Sequence, residues 1–316
     1  MTEKLKGRLV LLLVYTMAFG LAFFVSSVND YPLLIKSLIA VGLAVTIIFL
    51  GSVDFNNSSV FDPYWSVAPV LFAAYFWMLD TGTGPGYWSL IPGKWSGIAC
   101  DATLVTGHWF DFTRKLILMI LILIYGIRLT WNFLRSWKGL KQEDWRYSDL
   151  RKKSGKIYWL VSYFGIHLFP ALMVFAGSLS IWVTMTKSIY PFRMLDVLAI
   201  LLTGFAIWWE AGADRQLRKF ILTNQEVGKT MTLKFWSFCR HPNYLGEICF
   251  WWGLYLFALA ANPAFWWVIL GPVLITLMFV LISIPMIEKR MLVRKKDYHT
   301  YQEKVPKLLP FIFRPF

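Results

Sequence analysis

The chain has 316 residues and a net charge of +14 at pH 7; 57% of its residues are hydrophobic and only 16% are charged. Soluble domains are typically about half apolar and about a quarter charged, so this chain has too little polar surface to coat itself in water. The composition excludes an ordinary soluble fold and predicts a protein that is solvated by lipid.

The basic residues are clustered along the chain. Of the 32 Lys and Arg, 25 lie in residues 1–8, 135–156, 211–240 and 286–316, and each of these stretches flanks a long apolar run. Such charge could neutralise nucleic-acid phosphates, but basic stretches beside apolar runs are typical of cytoplasmic loops in membrane proteins. We therefore expect the lipid bilayer as a partner and exclude nucleic acid.

Eight apolar runs follow one another, at about 9–28, 32–51, 65–79, 114–134, 157–184, 195–211, 243–261 and 265–285. A helix needs about 20 apolar residues to cross about 30 Å of hydrocarbon. The third run is short and the fifth is long, so we predict seven or eight spans. The first run is too long for a signal peptide and predicts a retained span.

These runs predict an all-α, multi-pass transmembrane bundle. With eight spans, both termini and all the basic stretches lie on the cytoplasmic side, as the distribution of Lys and Arg requires. The membrane would be a bacterial inner membrane or the endoplasmic reticulum. The three cysteines, Cys100, Cys239 and Cys249, have neither disulfide nor metal-site spacing, so no metal is expected.

Residues 80–112 interrupt the apolar runs with a turn-rich sequence. Gly82, Gly84 and Gly86 superficially resemble a phosphate-binding loop. However, their spacing is not that of a dinucleotide-binding loop, a proline interrupts it, and no strand–helix–strand unit surrounds it. We predict a non-cytoplasmic connection that is ordered and partly re-enters the membrane.

Charged residues at membrane depth cost several kcal/mol unless they are paired or face a cavity, so they often serve function. A first group leaves the sixth span, where Glu210, Asp214 and Arg218 recur every four residues and share one helix face. This group could be a salt-bridged helix end at the interface. The favoured interpretation is that Arg215 or Arg218 binds a phosphate while Glu210 or Asp214 binds a ribose or an amide.

A second group opens the seventh span with the sequence RHPNYLGE, residues 240–247. Pro242 suits the first turn of a helix, because its missing N–H would have no partner there. Arg240 and His241 then precede a helix start, where free backbone N–H groups and the helix dipole favour an anion. The motif therefore predicts an anion site at the membrane surface.

The same motif continues into the span with polar side chains. Asn243 and Glu247 are four residues apart and share a helix face, with Tyr244 beside them. A cytoplasmic boundary alone does not require a carboxylate one turn into a span that is otherwise aromatic. We therefore expect Glu247 to take part in the chemistry of a site.

A third group lies in the tail. Glu288 and Arg290 leave the last span, and Tyr298 and Tyr301 follow three residues apart. The two tyrosines could stack on a flat ligand ring, or they could belong to an interfacial belt of aromatic and basic residues. The sequence leaves both alternatives open.

These groups and several shorter stretches together resemble a known superfamily. The stretches are Arg128-Leu129, Glu143–Tyr147, Glu210–Arg218, Ser237–Glu247, Trp251–Gly253, Gly271-Pro272 and Ile284–Arg290. Over about residues 120–305, the chain resembles membrane enzymes with the steroid 5-alpha-reductase C-terminal fold, and especially the branch called DUF1295. Residues 1–110 carry no comparable resemblance.

The resemblance implies that residues 113–316 form a helical bundle that opens to the cytoplasm and binds NADPH without a Rossmann domain. It implies that residues 1–112 supply the substrate side, and that Asn243 and Glu247 approach the nicotinamide. The expected cofactor-binding residues are Arg146, Glu210, Asp214, Arg215, Arg218, Arg240, His241, Asn243, Tyr244, Glu288, Arg290, Tyr298 and Tyr301.

On the substrate side the chain departs from the steroid enzymes. Asn132 stands where those enzymes place a substrate-binding tyrosine, and the early acid is Asp54 or Asp62, of which Asp62 fits the DUF1295 pattern better. The resemblance therefore implies a lipophilic substrate with an activated C=C bond, sterol-like or isoprenoid, but no particular steroid.

The implied reaction passes a hydride from NADPH to this bond. Asp62, Tyr64 or Tyr147 would stabilise the developing oxyanion or supply a proton, and Glu247 is a further catalytic candidate. The nicotinamide supplies the chemistry, while the protein aligns the reactants and excludes water.

Two other function classes stay open. Isoprenylcysteine and phospholipid methyltransferases, which use S-adenosylmethionine, share a related helix start and a carboxylate-bearing tail. Asn243, Glu247 and the cations of residues 210–218 favour the reductase. The departure at Asn132 keeps open a non-enzymatic lipid-binding or structural protein, whereas the lack of inverted repeats disfavours a transporter.

Overall fold

The computed structural model describes residues 2–79, 102–224, 226 and 228–309. These residues form helices and no strand, which confirms the predicted all-α fold class. Among the described residues, seven helical stretches are long and apolar enough to cross a membrane: Glu3–Ser27, Leu33–Asp54, Asp111–Ser136, Trp145–Thr186, Met194–Thr223, Pro242–Ala261 and Pro263–Arg294. The chain is an integral, multi-pass membrane protein.

The α-helices are α1 (Glu3–Ser27), α2 (Leu33–Asp54), α3 (Tyr64–Leu79), α4 (Ala102–Ser136), α5 (Trp145–Ser154), α6 (Tyr158–Ser162), α7 (Phe169–Thr186), α8 (Met194–Thr223), α9 (Phe235–Phe238), α10 (Pro242–Ala261), α11 (Leu270–Met278), α12 (Ile284–Arg294) and α13 (Tyr298–Lys304). Short 3-10 segments lie at Ser58–Phe61, Gly155–Ile157 and Pro263–Ile269. Two segments are π-helical, Tyr163–Leu168 and Phe279–Ser283.

Helix α3 occupies the position of the predicted third span. It has 16 residues, which reach about 24 Å at the rise of an α-helix and fall short of the about 30 Å hydrocarbon core. It is therefore not among the seven long stretches. An eighth crossing, and with it the cytoplasmic placement of both termini, stays a prediction.

The predicted loop 80–112 is wrong at its end, because helix α4 already begins at Ala102. Lys115 pairs with Asp111 one turn earlier at 2.7 Å, and an ion pair at this spacing supports the helix. Residues 80–101, including Gly82, Gly84 and Gly86, lie outside the described residues.

The chain divides into two compact units, and each unit combines two separate stretches of sequence. Unit 1 comprises Met1–Leu71 and Tyr125–Phe175, and unit 2 comprises Phe72–Ile124 and Ala176–Phe316. These units do not coincide with the expected halves 1–112 and 113–316. The assignment of a substrate side and a cofactor side to those halves stays a prediction.

In unit 1, small residues bring helices into close contact. A Cβ atom at Gly126 would lie 2.5 Å from a Val70 methyl carbon and 2.8 Å from the Ser66 carbonyl oxygen, so only glycine fits this approach of α3 and α4. The hydroxyls of Ser66 and Thr130 form a hydrogen bond of 2.8 Å one turn further on. These contacts hold α3 against α4 within unit 1.

In unit 2, α8 and α10 approach each other in the same way. A Cβ atom at Gly246 would lie 2.6 Å from the Glu210 Cβ atom, and one at Gly253 would clash with Thr203. Because glycine at both positions permits the contact, the two helices pack closely between Thr203 and Glu210 of α8. This pairing places Glu210 of α8 next to the residue that precedes Glu247 of α10.

A buried arginine holds one end of this helix pair. Arg114 is fully buried, and its guanidinium donates to both carboxylate oxygens of Asp196, at 2.6 and 2.9 Å. It also donates to the Tyr190 carbonyl at 2.9 Å, while Arg193 donates to the Ala260 carbonyl at 3.0 Å. Asp196 begins α8 and Ala260 ends α10, so these bonds tie the two helix ends to α4.

Candidate active site

In unit 1, polar groups gather around the 3-10 turn Ser58–Phe61 that follows α2. Asn57 caps this turn, since its side chain accepts from the Ser59 N–H at 2.8 Å. The Asn57 amide donates to the carbonyls of Leu140 and Gln142, at 2.6 and 3.0 Å. These bonds attach the turn to the segment that leads into α5, so residues far apart in sequence form one polar cluster.

Asp62 and Tyr147 are predicted catalytic residues, and the structure brings them into direct contact. The Tyr147 hydroxyl donates to the Asp62 carboxylate at 2.5 Å. Burial raises the pKa of Asp62 to about 6, although the nearby Arg146 and the Tyr147 hydrogen bond oppose the rise. This carboxyl group therefore exchanges a proton close to neutral pH.

Arg146 and Tyr64 are the other two predicted site residues of unit 1. The Arg146 guanidinium bonds to Asp144 at 2.8 Å and lies 5.4 Å from the centre of the Tyr147 ring. Tyr64 is fully buried, and its ring stacks on Phe61 at 4.9 Å. Arg146 thus lies beside the Asp62–Tyr147 pair, whereas Tyr64 contributes to the packing behind it.

In unit 2, two carboxylates are buried where α8 and α10 face each other. Glu210 and Glu247 are each 4% exposed. The Trp251 indole N–H donates to the Glu247 carboxylate at 2.9 Å, and Trp251 itself packs directly on Gly177. Because the surroundings fix the Trp251 ring, they also fix the orientation of the Glu247 carboxylate.

Arg240 and His241, at the head of α10, both bind Glu288 of α12. The Arg240 Nε–Glu288 Oε1 distance is 2.8 Å and the His241 Nε2–Glu288 Oε1 distance is 3.0 Å. Arg240 also donates to the carbonyls of Gln302 and Val305, at 2.9 and 2.6 Å. Burial lowers the pKa of His241, against the opposing effect of Glu288, so the imidazole is neutral at pH 7.

The tail tyrosines pack inside unit 2. Tyr298, Tyr301 and Val305 form a buried hydrophobic cluster, and the Tyr301 hydroxyl donates to the Trp236 carbonyl at 2.5 Å. This burial is neither of the two alternatives that the sequence left open, which were stacking on a ligand ring and an interfacial belt. A ligand-binding role for the two tyrosines stays a prediction.

Three of the predicted cofactor residues in unit 2 keep polar groups available. Arg215 is exposed, and Arg218 and Asn243 are partly buried. Within the described part of the chain, none of these three side chains forms a hydrogen bond or an ion pair. Their cationic and amide groups are therefore accessible to a ligand.

Two further predicted cofactor residues, one in α10 and one in α12, are partly buried. Tyr244 is partly buried, and its ring lies parallel to His241 at 5.5 Å. Arg290 is also partly buried. Asp214 has the same degree of burial one turn beyond Glu210.

Sequence reasoning missed two buried groups, Arg114 and His167. Arg114 was taken only as the start of a span, and His167 stands inside the apolar run 157–184. The available signal was the presence of an ionisable residue within or beside a span. The sequence does not show that Arg114 pairs with Asp196 or that His167 contacts Ser52, because these partners lie in other helices.

Residues 48–305 match the model of a family described as "Protein of unknown function (DUF1295)". The chain belongs to the DUF1295 family. This confirms the resemblance to DUF1295, and the match includes every predicted site residue. The description assigns no activity, so the chemistry of this DUF1295 protein has to be argued from its residues.

One relative of this DUF1295 protein is an uncharacterized protein of Schizosaccharomyces pombe. It is 27% identical over 266 residues, which are 76% of this chain and 76% of the relative. No solved structure matches the chain.

Proposed function

We propose that this DUF1295 protein is an oxidoreductase that uses NADPH to reduce an activated C=C bond in a lipophilic substrate within the membrane. The observation that carries the proposal is the hydrogen bond between Tyr147 and Asp62. When a hydride adds to an enone-like acceptor, negative charge develops on the acceptor oxygen, and the product needs a proton. A phenol beside a carboxyl group that titrates near neutral pH can meet both needs.

The Asp62–Tyr147 pair would act through its protons. When Asp62 is ionised, its carboxylate accepts the only hydroxyl proton of Tyr147. When Asp62 is protonated, the pair holds two acidic protons, of which one maintains the contact and the other is free for the substrate oxygen. The pKa of about 6 for Asp62 makes both forms accessible under physiological conditions.

The cofactor half of the proposal is supported by unit 2. NADPH carries a diphosphate and a further phosphate, which require cations and hydrogen-bond donors. Arg215, Arg218 and Asn243 have groups that no described residue engages, so the residues present fit such a ligand. NADPH, when bound, supplies the hydride, and Glu247, oriented by Trp251, would hold the nicotinamide end.

Arg240 has a different role in this proposal. Glu288 and two tail carbonyls already occupy its guanidinium. We therefore assign Arg240 and Glu288 to fixing the tail against the head of α10. Phosphate binding falls to the arginines of α8, with Glu210, Asp214, His241, Tyr244, Arg290, Tyr298 and Tyr301 as further proposed residues of the cofactor pocket in unit 2. A cofactor role for Arg146, which belongs to unit 1, stays a prediction of the sequence.

An S-adenosylmethionine-dependent methyltransferase is the second candidate. One observation favours it: Glu210 and Glu247 are buried carboxylates on facing helices, and carboxylates suit a sulfonium cation. The arginines of α8 favour NADPH, because a sulfonium cofactor has no phosphate for them to bind.

The deciding experiment titrates the purified full-length protein in detergent with NADPH and with S-adenosylhomocysteine. The 17 tryptophans provide an intrinsic fluorescence signal. We expect saturable NADPH binding that Arg218→Ala and Asn243→Ala each weaken by about tenfold, the effect of losing one charged or amide contact. Saturable binding of S-adenosylhomocysteine without NADPH binding would reverse the assignment.

The substrate can be sought by comparing the lipids of cells that express the wild type or Tyr147→Phe. The proposal expects pairs of lipids that differ by two hydrogens, with the more unsaturated member accumulating in the variant. Equal lipid profiles, together with intact NADPH binding, would leave the cofactor assignment standing and contradict the assigned role of Tyr147.

A further inference from the structure

His167 lies in the interior of unit 1 and takes no part in the proposed chemistry. It is fully buried on the π-helical turn Tyr163–Leu168. The rings of Phe49 and Phe61 lie 5.3 and 4.9 Å from its imidazole. A π-helical turn accommodates one more residue than an α-helical turn, and such turns occur frequently at functional sites.

Two hydrogen-bond partners define the protons of this imidazole. Nδ1 lies 2.9 Å from the carbonyl oxygen of Ser162, which can only accept, so Nδ1 carries a hydrogen. Nε2 lies 3.0 Å from the hydroxyl oxygen of Ser52. The same hydroxyl lies 3.0 Å from the carbonyl oxygen of Ile48, one turn earlier in α2.

These partners satisfy the imidazole in both of its protonation states. In the neutral state, Ser52 donates its hydroxyl hydrogen to the bare Nε2. In the charged state, Nε2 donates to the Ser52 oxygen, and the Ser52 hydroxyl turns to donate to Ile48. Neither state leaves a buried polar atom without a partner, so the cost that normally opposes a change of charge in the interior is reduced.

We propose that His167 and Ser52 form a proton-binding site in the interior of unit 1. One proton binds to Nε2 and one proton leaves it, and no other bond is made or broken apart from the rotation of the Ser52 hydroxyl. The site differs from an ordinary packed histidine because both ring nitrogens keep a hydrogen-bond partner in both protonation states.

A chain of hydroxyl groups leads from the other ring nitrogen, Nδ1, to Glu143. The Ser162 hydroxyl lies 3.5 Å from Nδ1 and 3.1 Å from the Ser58 hydroxyl, which lies 2.6 Å from the Tyr158 hydroxyl. The Tyr158 hydroxyl lies 3.5 Å from the carboxylate of Glu143, whose side chain is 15% exposed. The two links of 3.5 Å must shorten for a proton to pass, whereas the middle links are already hydrogen bonds.

The charged and titratable groups around His167 are few. Tyr158 and Tyr163 lie on its own helical segment, and Arg151 lies 4.0 Å above the Tyr158 ring and pairs with Glu143 at 3.0 Å. Asp62 follows Phe61 in the turn that packs on the imidazole. Among the described residues, no carboxylate bonds directly to His167. The carbonyl groups of Ser162 and Ile48 therefore stabilise the charged form.

The use of this proton rests on the proposed function, although the binding site itself does not. Each C=C bond that is reduced takes up one hydride from NADPH and one proton from water. Phe61 touches His167 and immediately precedes Asp62, so the site lies beside the proposed proton donor. A proton held there would replace the one that the Asp62–Tyr147 pair gives to the substrate.

The test is nitrogen NMR of the full-length protein in detergent with ¹⁵N-labelled histidine, in the absence of cofactor and substrate. The chain has four histidines, so the signal that His167→Gln removes identifies the residue. At high pH we expect the less common tautomer with hydrogen on Nδ1 and none on Nε2. As the pH falls, Nε2 should gain a proton while the protein stays folded.

Ser52→Ala tests the proton-binding site, and Tyr158→Phe tests the chain of hydroxyl groups. Ser52→Ala should lower the pH of half-protonation by about one unit, because an unpartnered charged N–H costs more than an unpartnered neutral nitrogen. Tyr158→Phe should leave that pH unchanged and slow the exchange of the hydrogen on Nδ1 with D₂O by about a hundredfold, the scale of a lost proton-transfer group.

Tyr163→Phe is the matched control, since its hydroxyl bonds to Thr46 at 3.1 Å and lies outside the hydroxyl chain. It should behave as the wild type in both measurements. Hydrogen on Nε2 at high pH, or no change at Nε2 over the pH range in which the protein stays folded, overturns the proton-binding site. Equal exchange rates in Tyr158→Phe and Tyr163→Phe overturn the path. None of these outcomes depends on NADPH binding.

Discussion

The Tyr147 hydroxyl and the Asp62 carboxylate meet at 2.5 Å although 85 positions separate them in sequence. Asn57 supports this contact, because it fastens the turn before Asp62 to the segment before α5. Tyr147→Phe removes the proton of the phenol and keeps its ring. We expect conversion of the substrate to fall by about 10²- to 10⁴-fold, the contribution of a positioned proton donor.

The measurement is the ratio of the saturated to the unsaturated lipid in cells that express each variant. Tyr163→Phe is a suitable control, since it removes a phenol hydroxyl from the same unit without touching Asp62. NADPH affinity should be unchanged in both variants. Full activity in Tyr147→Phe would exclude the phenol as the proton donor.

The raised pKa of Asp62 makes the stability of the protein depend on pH. In the unfolded chain this carboxyl titrates near pH 4, and in the folded protein near pH 6. Between these values the folded state binds more protons, so the contribution of Asp62 to stability is fully present below about pH 4 and is lost as the pH rises through about 6. The difference amounts to roughly 2–3 kcal/mol for this group.

Asp62→Asn removes this titration while keeping the size of the side chain. Thermal unfolding in detergent at pH 5 and pH 7.5 should show that the wild type loses more stability than Asp62→Asn over this interval. Other groups, including His241, titrate in both proteins and cancel in the comparison. Equal changes in stability between pH 5 and pH 7.5 in the two proteins would mean that folding does not raise the pKa of Asp62.

Substitutions of Arg240 and Arg215 should distinguish an arginine that stabilises the fold from an arginine that binds the ligand. Arg240→Ala leaves Glu288 without its arginine partner, so we expect a loss of about 3–5 kcal/mol in the free energy of unfolding. Arg215 is exposed and has no partner among the described residues. Arg215→Ala should change stability by no more than about 0.5 kcal/mol but weaken NADPH binding.

Thermal unfolding and NADPH titration of both variants provide the two measurements. An Arg240→Ala protein with the stability of the wild type would contradict the assigned role in fixing the tail. Unchanged NADPH affinity in Arg215→Ala would remove that arginine from the proposed phosphate site.

Trp251 and Trp252 are neighbouring tryptophans with different partners. The Trp251 indole donates to Glu247 at 2.9 Å, and the Trp252 indole donates to the Thr276 hydroxyl at 3.1 Å. Trp251→Phe should weaken NADPH binding by about tenfold, because it frees the carboxylate proposed to hold the nicotinamide end. Trp252→Phe should bind NADPH as the wild type does. Calorimetric titration is the measurement, because removing a tryptophan changes the fluorescence signal itself. Equal NADPH affinities of the two variants would contradict the proposed contact between Glu247 and the cofactor.

Arg114 should be highly sensitive to substitution, because its side chain is fully buried. Arg114→Met leaves Asp196 buried without its partner, and we expect a loss of about 3–5 kcal/mol with a low yield of folded protein. Lys141→Met breaks an ion pair with Glu3 whose side chains are 82% and 52% exposed, so its effect should stay below about 1 kcal/mol. The yield after size-exclusion chromatography and thermal unfolding compare the two. Similar losses of stability in the two variants would show that burial does not determine how much these ion pairs contribute.

The sequence alone determined the membrane character, the all-α class, most of the spans and the family. These follow from apolar runs of a length set by the bilayer, from charges at the ends of those runs, and from motifs of consecutive residues such as 240–247. All three signals are local, so they can be read without knowing which helices pack together. The same locality explains the wrong start of α4, since a short polar stretch predicts a loop as well as it predicts a helix end.

The tertiary structure decided which partner each polar group has. From the sequence, Arg240 could equally bind a phosphate or a carboxylate of the protein, and the fold places Glu288 next to it. Asp62 meets Tyr147, and Arg114 meets Asp196, because the fold brings α5 to the turn after α2 and α4 to the start of α8. Such pairings join residues in different helices, and helix packing depends on the shapes of many side chains at once, which no single stretch of sequence contains.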